Sequence, residues 1–392
     1  MRRLALAACT SLLLSLVACG GGGGGGSTST TTSSMSAAAE LGARLFTDTT
    51  LSSTGAMSCA SCHDANNHHA APDTRSVPAG ANPGHEAGRQ APSLQYLRFN
   101  TRFAFAADGT PTGGFTWDGR AATLADQASG PLLNPNEMAN TSIEDVVAKL
   151  KRSANAAEFQ KVFGSDILDR PADAFARLLF ALQQYQLEDP DFSPFSSKYD
   201  LWLAGKAQLT ASELKGMALF NDPSKGNCAA CHVSAGVGGN PPLFTDNTFD
   251  ALGVPRNPEI QANADASYYD LGLCGPTRAD LAAQTNLCGA FRVPTLRNVA
   301  RTAPYFHNGA IKTLADAVRF YVRRDTNPEE WYPTDSNGVV QKFNDLPPAY
   351  RANVNTTEVP YNRKPGDAPA LSESEIADVV AFLNTLTDGY TP

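Results

Sequence analysis

The chain is 392 residues long, with 42% hydrophobic and 18% charged residues, which suits a globular protein with two ordinary cores rather than one very large one. A formal net charge of −8 argues against a nucleic-acid binder and leaves a soluble, acidic surface suited to a basic partner.

In chain order, the first residues predict an export signal: Arg2 and Arg3, then LALAACTSLLLSLVA, an apolar stretch too short to span a bilayer comfortably. The stretch ends in LVAC, with small Ala18 before Cys19. This reads as a lipoprotein signal over residues 1–19, a lipidated Cys19 and a flexible Gly/Ser/Thr tether over residues 20–36. An ordinary secretory leader is the alternative. Either reading takes the chain to an oxidising compartment, expected to be the periplasm, with membrane anchoring through Cys19.

The segments ELGARLF (40–46) and ELKGMALF (213–220) share G-x-x-L-F, and each leads within about a dozen residues to a C-x-x-C-H, CASCH at 59–63 and CAACH at 228–232. A duplicated module, opening with a helix, is the simplest account. Thr210 with Glu213 forms a helix start. SIEDVVAKLKRS and PADAFARLLFALQQYQ carry helical patterns between the motifs, and the proline- and acid-rich EDPDFSPFSSKYD (188–200) suits a domain boundary. The expected domains are therefore 37–200 and 201–392. Near the end, Ser372 and Glu375 occupy capping-box positions, and Ile376, Val379, Val380 and Leu383 fall on one helix face. With no convincing alternating strand pattern, the predicted fold is mostly α, with long loops.

Two cysteines three apart followed by histidine can be alkylated by one haem and then ligate its iron, so Cys59, Cys62 and His63 form one predicted c-type haem site, and Cys228, Cys231 and His232 the other. A thioredoxin-type pair does not need the histidine, and no partner motifs complete a zinc site. Of the eight cysteines, Cys9 leaves with the signal, and Cys274 and Cys288 are left over; they are expected to close a short disulfide loop, with two free thiols as the alternative. None of the five methionines follows the second motif, so no methionine there can close the second iron. Thr313 and Asp316 start a helix on which Leu314, Ala317, Val318 and Tyr321 share the buried stripe. Tyr321 could ligate iron as phenolate; an ordinary core tyrosine is the alternative.

FTWDGRAATLADQASGPLLNPNEM (115–138) and FRVPTLRNVARTAPYFHNG (291–309), together with both C-x-x-C-H motifs, resemble the bacterial dihaem cytochrome c peroxidase and MauG superfamily over roughly residues 38–388. The resemblance implies two cytochrome c-like domains, each with a covalent haem. It places Trp117 between the haems, Glu137 as the distal acid that moves a proton during peroxide cleavage, and Gln127 as a distal amide. It assigns the carbonyls of Thr302 and Pro304 to a calcium ion between the domains, with Gln90 where the family usually has asparagine, and puts His307 near the C-terminal haem as a hydrogen-bonding group. Tyr321 stands where the peroxidases carry a methionine ligand, which resembles the MauG branch. His85 is the candidate for a loop histidine closing the N-terminal haem, leaving a gated and an open resting state as alternatives; His68 and His69 read as solvent-facing.

The expected function is oxidation of an external donor with hydrogen peroxide, the donor being a small redox protein or a protein substrate, with a homodimer allowed by the resemblance. A non-catalytic dihaem electron carrier is the alternative; it would need strong sixth ligands on both irons and no use for Glu137.

Overall fold

The computed structural model describes residues 35–236 and 238–392. The signal, most of the tether and Cys19 lie outside the described residues. Four short strands pair as two antiparallel ribbons, β1 (Ala104–Phe105) with β2 (Pro111–Thr112) and β3 (Phe249–Asp250) with β4 (Phe291–Arg292). The rest is helix, turn and long loop.

The first half holds α1 (Ala37–Phe46), α2 (Leu124–Leu133), α3 (Ile143–Leu150), α4 (Ala156–Phe163) and α5 (Pro171–Glu188). The second holds α6 (Lys198–Leu203), α7 (Ala211–Asn221), α8 (Leu314–Arg323) and α9 (Glu373–Asn384). Local chemistry sets their starts. Ser36, Thr123, Ser142 and Thr313 each accept a backbone N–H of the first turn, and Thr210/Glu213 and Ser372/Glu375 form full capping boxes.

The two largest buried clusters are separate in sequence, one drawn from residues 41–192 and the other from residues 199–386. Each is organised by the same crossing. The helix before the first motif, α1, packs along α5; the helix before the second, α7, packs along α9. The shared glycine makes both possible. A Cβ on Gly42 would run into the backbone carbonyl of Ala181, and one on Gly216 into that of Asp378. The repeated G-x-x-L-F is thus a packing signature: glycine admits the partner backbone, and the Leu-Phe pair enters the core.

The duplication goes further than its opening helices. Phe115 bridges Ala121 before Thr123-Leu-Ala-Asp126 begins α2, and Tyr305 bridges Ile311 before Thr313-Leu-Ala-Asp316 begins α8. By this register Trp117 and His307 are equivalent. The proline- and acid-rich stretch that reads as a boundary is well packed: Phe192 is buried in the first core, and Ser197 and Asp200 cap α6. Asp200 also accepts from the fully buried Arg297 at 2.7 Å.

Because the obstacle at each crossing is main chain, Gly42→Ala and Gly216→Ala should each destabilise the haem-loaded protein by about 1–3 kcal/mol, the usual range for overpacking. Chemical denaturation checks this; an unchanged midpoint would show that the helices can part at no cost.

Candidate functional site

Each C-x-x-C-H opens on a single 3₁₀ turn, Cys59–Ser61 and Cys228–Ala230, which brings both cysteines and the histidine to one side of a tight bend. His63 donates Nδ1–H to the carbonyl of His69 at 3.2 Å, and His232 donates Nδ1–H to the carbonyl of Phe244 at 2.9 Å. The accepting residues share a left-handed backbone, φ 51° at His69 and 54° at Phe244. The two loops are pinned alike: Ser93 Oγ donates to the His68 carbonyl and Thr295 Oγ1 to the Leu243 carbonyl, both at 2.6 Å. With Nδ1 committed to a carbonyl, Nε2 of each histidine keeps its lone pair. Burial lowers both imidazole pKa values, that of His63 to about 4, so both rings are neutral.

The four motif thiols are unpaired, and burial pushes Cys59, Cys228 and Cys231 up to about 12 and Cys62 to about 11. A redox-active Cys-x-x-Cys lowers its thiol pKa instead, so the surroundings do not suit a thioredoxin-type pair. Cys274 and Cys288 form a disulfide.

Around the second motif lies a cavity with about 220 Å³ open to the centres of water molecules, far more than a single water needs. Cys228, Cys231, His232, Tyr321 and Tyr361 all line it. The α8 stripe delivers Tyr321 to this wall, where its ring lies 5.7 Å from Phe306 and 6.3 Å from Tyr361. Burial raises its phenol pKa above the ordinary tyrosine range, so an unliganded Tyr321 is a neutral phenol. Of the late methionines, Met138 is buried in the first core and Met217 packs against the second from α7.

A second cavity, about 160 Å³ by the same measure, lies beside the first motif and is lined by Met57, Ser61, Cys62, Arg75, Pro78 and Ala91 among others. Glu137 is not in its lining, but its charge is felt by the Cys62 thiol. Asn134 donates to Glu137 Oε1 at 2.9 Å. Burial raises the Glu137 pKa, an effect moderated by Arg120 and by the Asn134 bond. Gln127 is half-buried on α2, outside both linings. At the second motif these features fit a covalently attached haem, with two thiols and an imidazole lining one open volume; the first motif repeats the residues and the histidine's carbonyl bond, but only Cys62 of it lines the smaller volume.

His85 is exposed, and its ring donates to Asn136 Oδ1 at 3.0 Å. Its loop lies against the Glu137 segment, Ala81 N–H donating to the Glu137 carbonyl at 2.7 Å, and the structure places its ring in neither lining. His69 corrects the sequence reading. It is fully buried rather than solvent-facing, held by Asp191 at 2.8 Å and stacked on Phe192. His68 is half-buried.

Residues from both halves form the wall between the motifs. Trp117 donates Nε1–H to the Gln90 carbonyl at 2.9 Å, and Gln90 N–H donates to the His307 carbonyl at 2.8 Å. All three line the larger cavity with Thr302 and Pro304. His307 is stacked on Phe291 at 3.5 Å. Sequence reasoning missed the charges behind Trp117. Asp118 is fully buried and accepts from Arg89, Arg120, Thr116 and Thr277, while Arg89 also pairs with Asp270 at 2.6 Å. Burial would raise the Asp118 carboxyl, but Arg89 and Arg120 hold it well below the ordinary range. The signal was present in the Asp and Arg of W-D-G-R.

The family model described as "Di-haem cytochrome c peroxidase" matches residues 36–208. The methylamine utilization protein MauG of Paracoccus denitrificans is 34% identical over 369 residues, covering 90% of this chain and 89% of that one. The cytochrome c551 peroxidase of Nitrosomonas europaea is 35% identical over 301 residues, 74% of this chain and 76% of that one. Among solved structures, the diheme peroxidase BthA from Burkholderia thailandensis superposes with a TM-score of 0.83 at 42% identity, covering 90% of this chain and 86% of that one. The duplicated motif loops, the helical frame and these likenesses agree: the chain belongs to the dihaem cytochrome c peroxidase and MauG family of oxidoreductases.

Proposed function

We propose that the protein uses hydrogen peroxide, at a haem attached to Cys59 and Cys62, to oxidise an external donor, with a second haem attached to Cys228 and Cys231. The observation that carries this reading is the pair of matched loops that leave Nε2 of His63 and His232 free. A bound haem would supply peroxide cleavage and storage of oxidising equivalents.

The chain's own residues divide the remaining work. Glu137, half-buried and raised in pKa, takes a proton from peroxide at its carboxylate and can return it to the departing oxygen; Asn134 fixes its orientation. Trp117, anchored through Nε1–H, offers an oxidisable indole between the halves. Tyr321 is the candidate second ligand on the His232 side. Its place in the cavity lining, and the absence of any methionine after Met217, favour a MauG-like site over one closed by methionine. The purely electron-carrying alternative is not favoured, since the relatives are peroxidases and MauG proteins and it leaves Glu137, with its raised pKa, without a task.

Calcium enters only as a structural ion. The Thr302 and Pro304 carbonyls line the wall, but the Gln90 amide donates to Thr302 at 3.4 Å and would need a half-turn to present oxygen to a cation. No step depends on it. The Cys274–Cys288 disulfide supports export to an oxidising compartment. The acidic surface supports a basic donor protein.

The direct test mixes fully ferric, haem-loaded protein with about one equivalent of peroxide and follows optical and electron paramagnetic resonance spectra. Reaction without prior reduction is expected, because His85 lies at the surface rather than in a cavity lining; no reaction in either redox state would sink the enzyme reading. Glu137→Gln should slow the peroxide step by roughly 10²–10⁴-fold with both haems attached. In the parent that step needs Glu137 deprotonated, so its rate should fall with acid through an apparent pKa above the ordinary 4.5 of glutamate. The Gln variant should lose this limb; a limb that survives assigns the proton elsewhere. Tyr321→Phe should change the spectrum of the C-terminal haem alone, and an unchanged spectrum would remove Tyr321 as a ligand.

A further inference from the structure

The two histidine-holding loops share a backbone but not their side chains. Phe244 is fully buried and held by apolar contact, its ring against Tyr199, Phe220 and Phe382. Its counterpart is His69, also fully buried, whose Nε2–H donates to Asp191 at 2.8 Å and whose ring stacks on Phe192 at 4.1 Å. Asp191 is itself fixed. Its carbonyl accepts from the buried Gln95 at 2.6 Å, and Gln95 accepts from Asn298 of the other half at 2.6 Å. A directional hydrogen bond therefore stands at one loop only, where the other has close aromatic packing and the Arg297 guanidinium 5.7 Å from the ring centre, and it falls on a residue whose φ of 51° ordinary side chains seldom adopt.

We propose that His69, held by Asp191, is a positioning residue for His63: it fixes the carbonyl that orients the imidazole and so sets the N-terminal haem's histidine bond apart from the C-terminal one. The inference rests on the reading of His63 and His232 as haem ligands. Rotating or loosening the His69 carbonyl weakens the Nδ1–H bond, and that bond controls how strongly Nε2 donates to a metal. The loop around His232 has no counterpart of the Asp191 bond, so it serves as an internal reference in the same molecule.

Asp191 suits mutation because its side chain is 58% exposed and leaves no core cavity. In the full haem-loaded chain, Asp191→Ala and Asp191→Asn are compared by electron paramagnetic resonance and redox titration, resolving the two ferric signals. Alanine should alter the N-terminal signal and change that haem's oxidised-to-reduced ratio at fixed potential by about tenfold, towards easier reduction, as expected for loss of a hydrogen bond to a charged group. Asparagine keeps an acceptor oxygen and should stay near the parent. The C-terminal signal should not move in either. An N-terminal signal that ignores alanine, moves equally with asparagine, or moves together with the C-terminal one would overturn the proposal. A parent chain that attaches no haem at His63 would overturn the underlying reading as well, before any variant is compared.

Discussion

Two hydrogen bonds from imidazole to main chain, His63 to the His69 carbonyl and His232 to the Phe244 carbonyl, decide which nitrogen of each histidine remains to meet a ligand. Much of the surrounding architecture serves those carbonyls. Each sits on a left-handed residue, each loop is pinned by a Ser or Thr hydroxyl, and each is carried by a segment that runs into the wall between the halves. The helix crossings at Gly42 and Gly216 set the frame of each half, α1 against α5 and α7 against α9. The main chain at Pro92 and at Pro294 also hydrogen-bonds the two imidazoles, so each ring is oriented by two backbone partners.

Helix starts were legible in the sequence because capping is local: Thr210, Thr313 and Ser372 announce themselves within four residues. The α8 stripe that delivers Tyr321 was legible for the same reason, since periodicity needs no knowledge of the partner surface. What could not be read were contacts between distant segments. His69, six residues beyond the motif in a polar stretch, looked exposed because its partner Asp191 lies 122 residues on. Gly42 and Gly216 could be matched to each other but not explained until α5 and α9 arrived beside them. The acid-rich segment 188–200 has the composition of a linker, yet Asp191 and Phe192 within it complete the His69 environment. Asp118 hid in plain view, because a short motif shows that a carboxylate is present and not that four donors converge on it.

The duplicated halves also show where sequence has drifted under a constant backbone. Trp117 and His307 occupy one register position, as do His69 and Phe244, and Ser93 and Thr295. The hydroxyl pair keeps its task across a conservative change. The aromatic pairs do not: one position offers an indole donor in the first half and a stacked imidazole in the second. A backbone repeat with exchanged side chains gives one chain two unlike environments, which a division of labour between two haems requires.

The buried cluster of Arg89, Asp118 and Asp270 ties the two halves together. Asp118 belongs to the first half, whereas Thr277, whose hydroxyl it accepts, Arg278, which binds its carbonyl, and Asp270, the second partner of Arg89, come from the second. A first half released alone would keep the Arg89 and Arg120 pairs on Asp118 but would lose Asp270 from Arg89 and the Thr277 and Arg278 donors from Asp118. Part of the charge balance of one half is therefore supplied by the other. Cutting the chain at the segment between them would take Asp270, Thr277 and Arg278 away from the wall behind Trp117, so that wall is complete only in the joined chain.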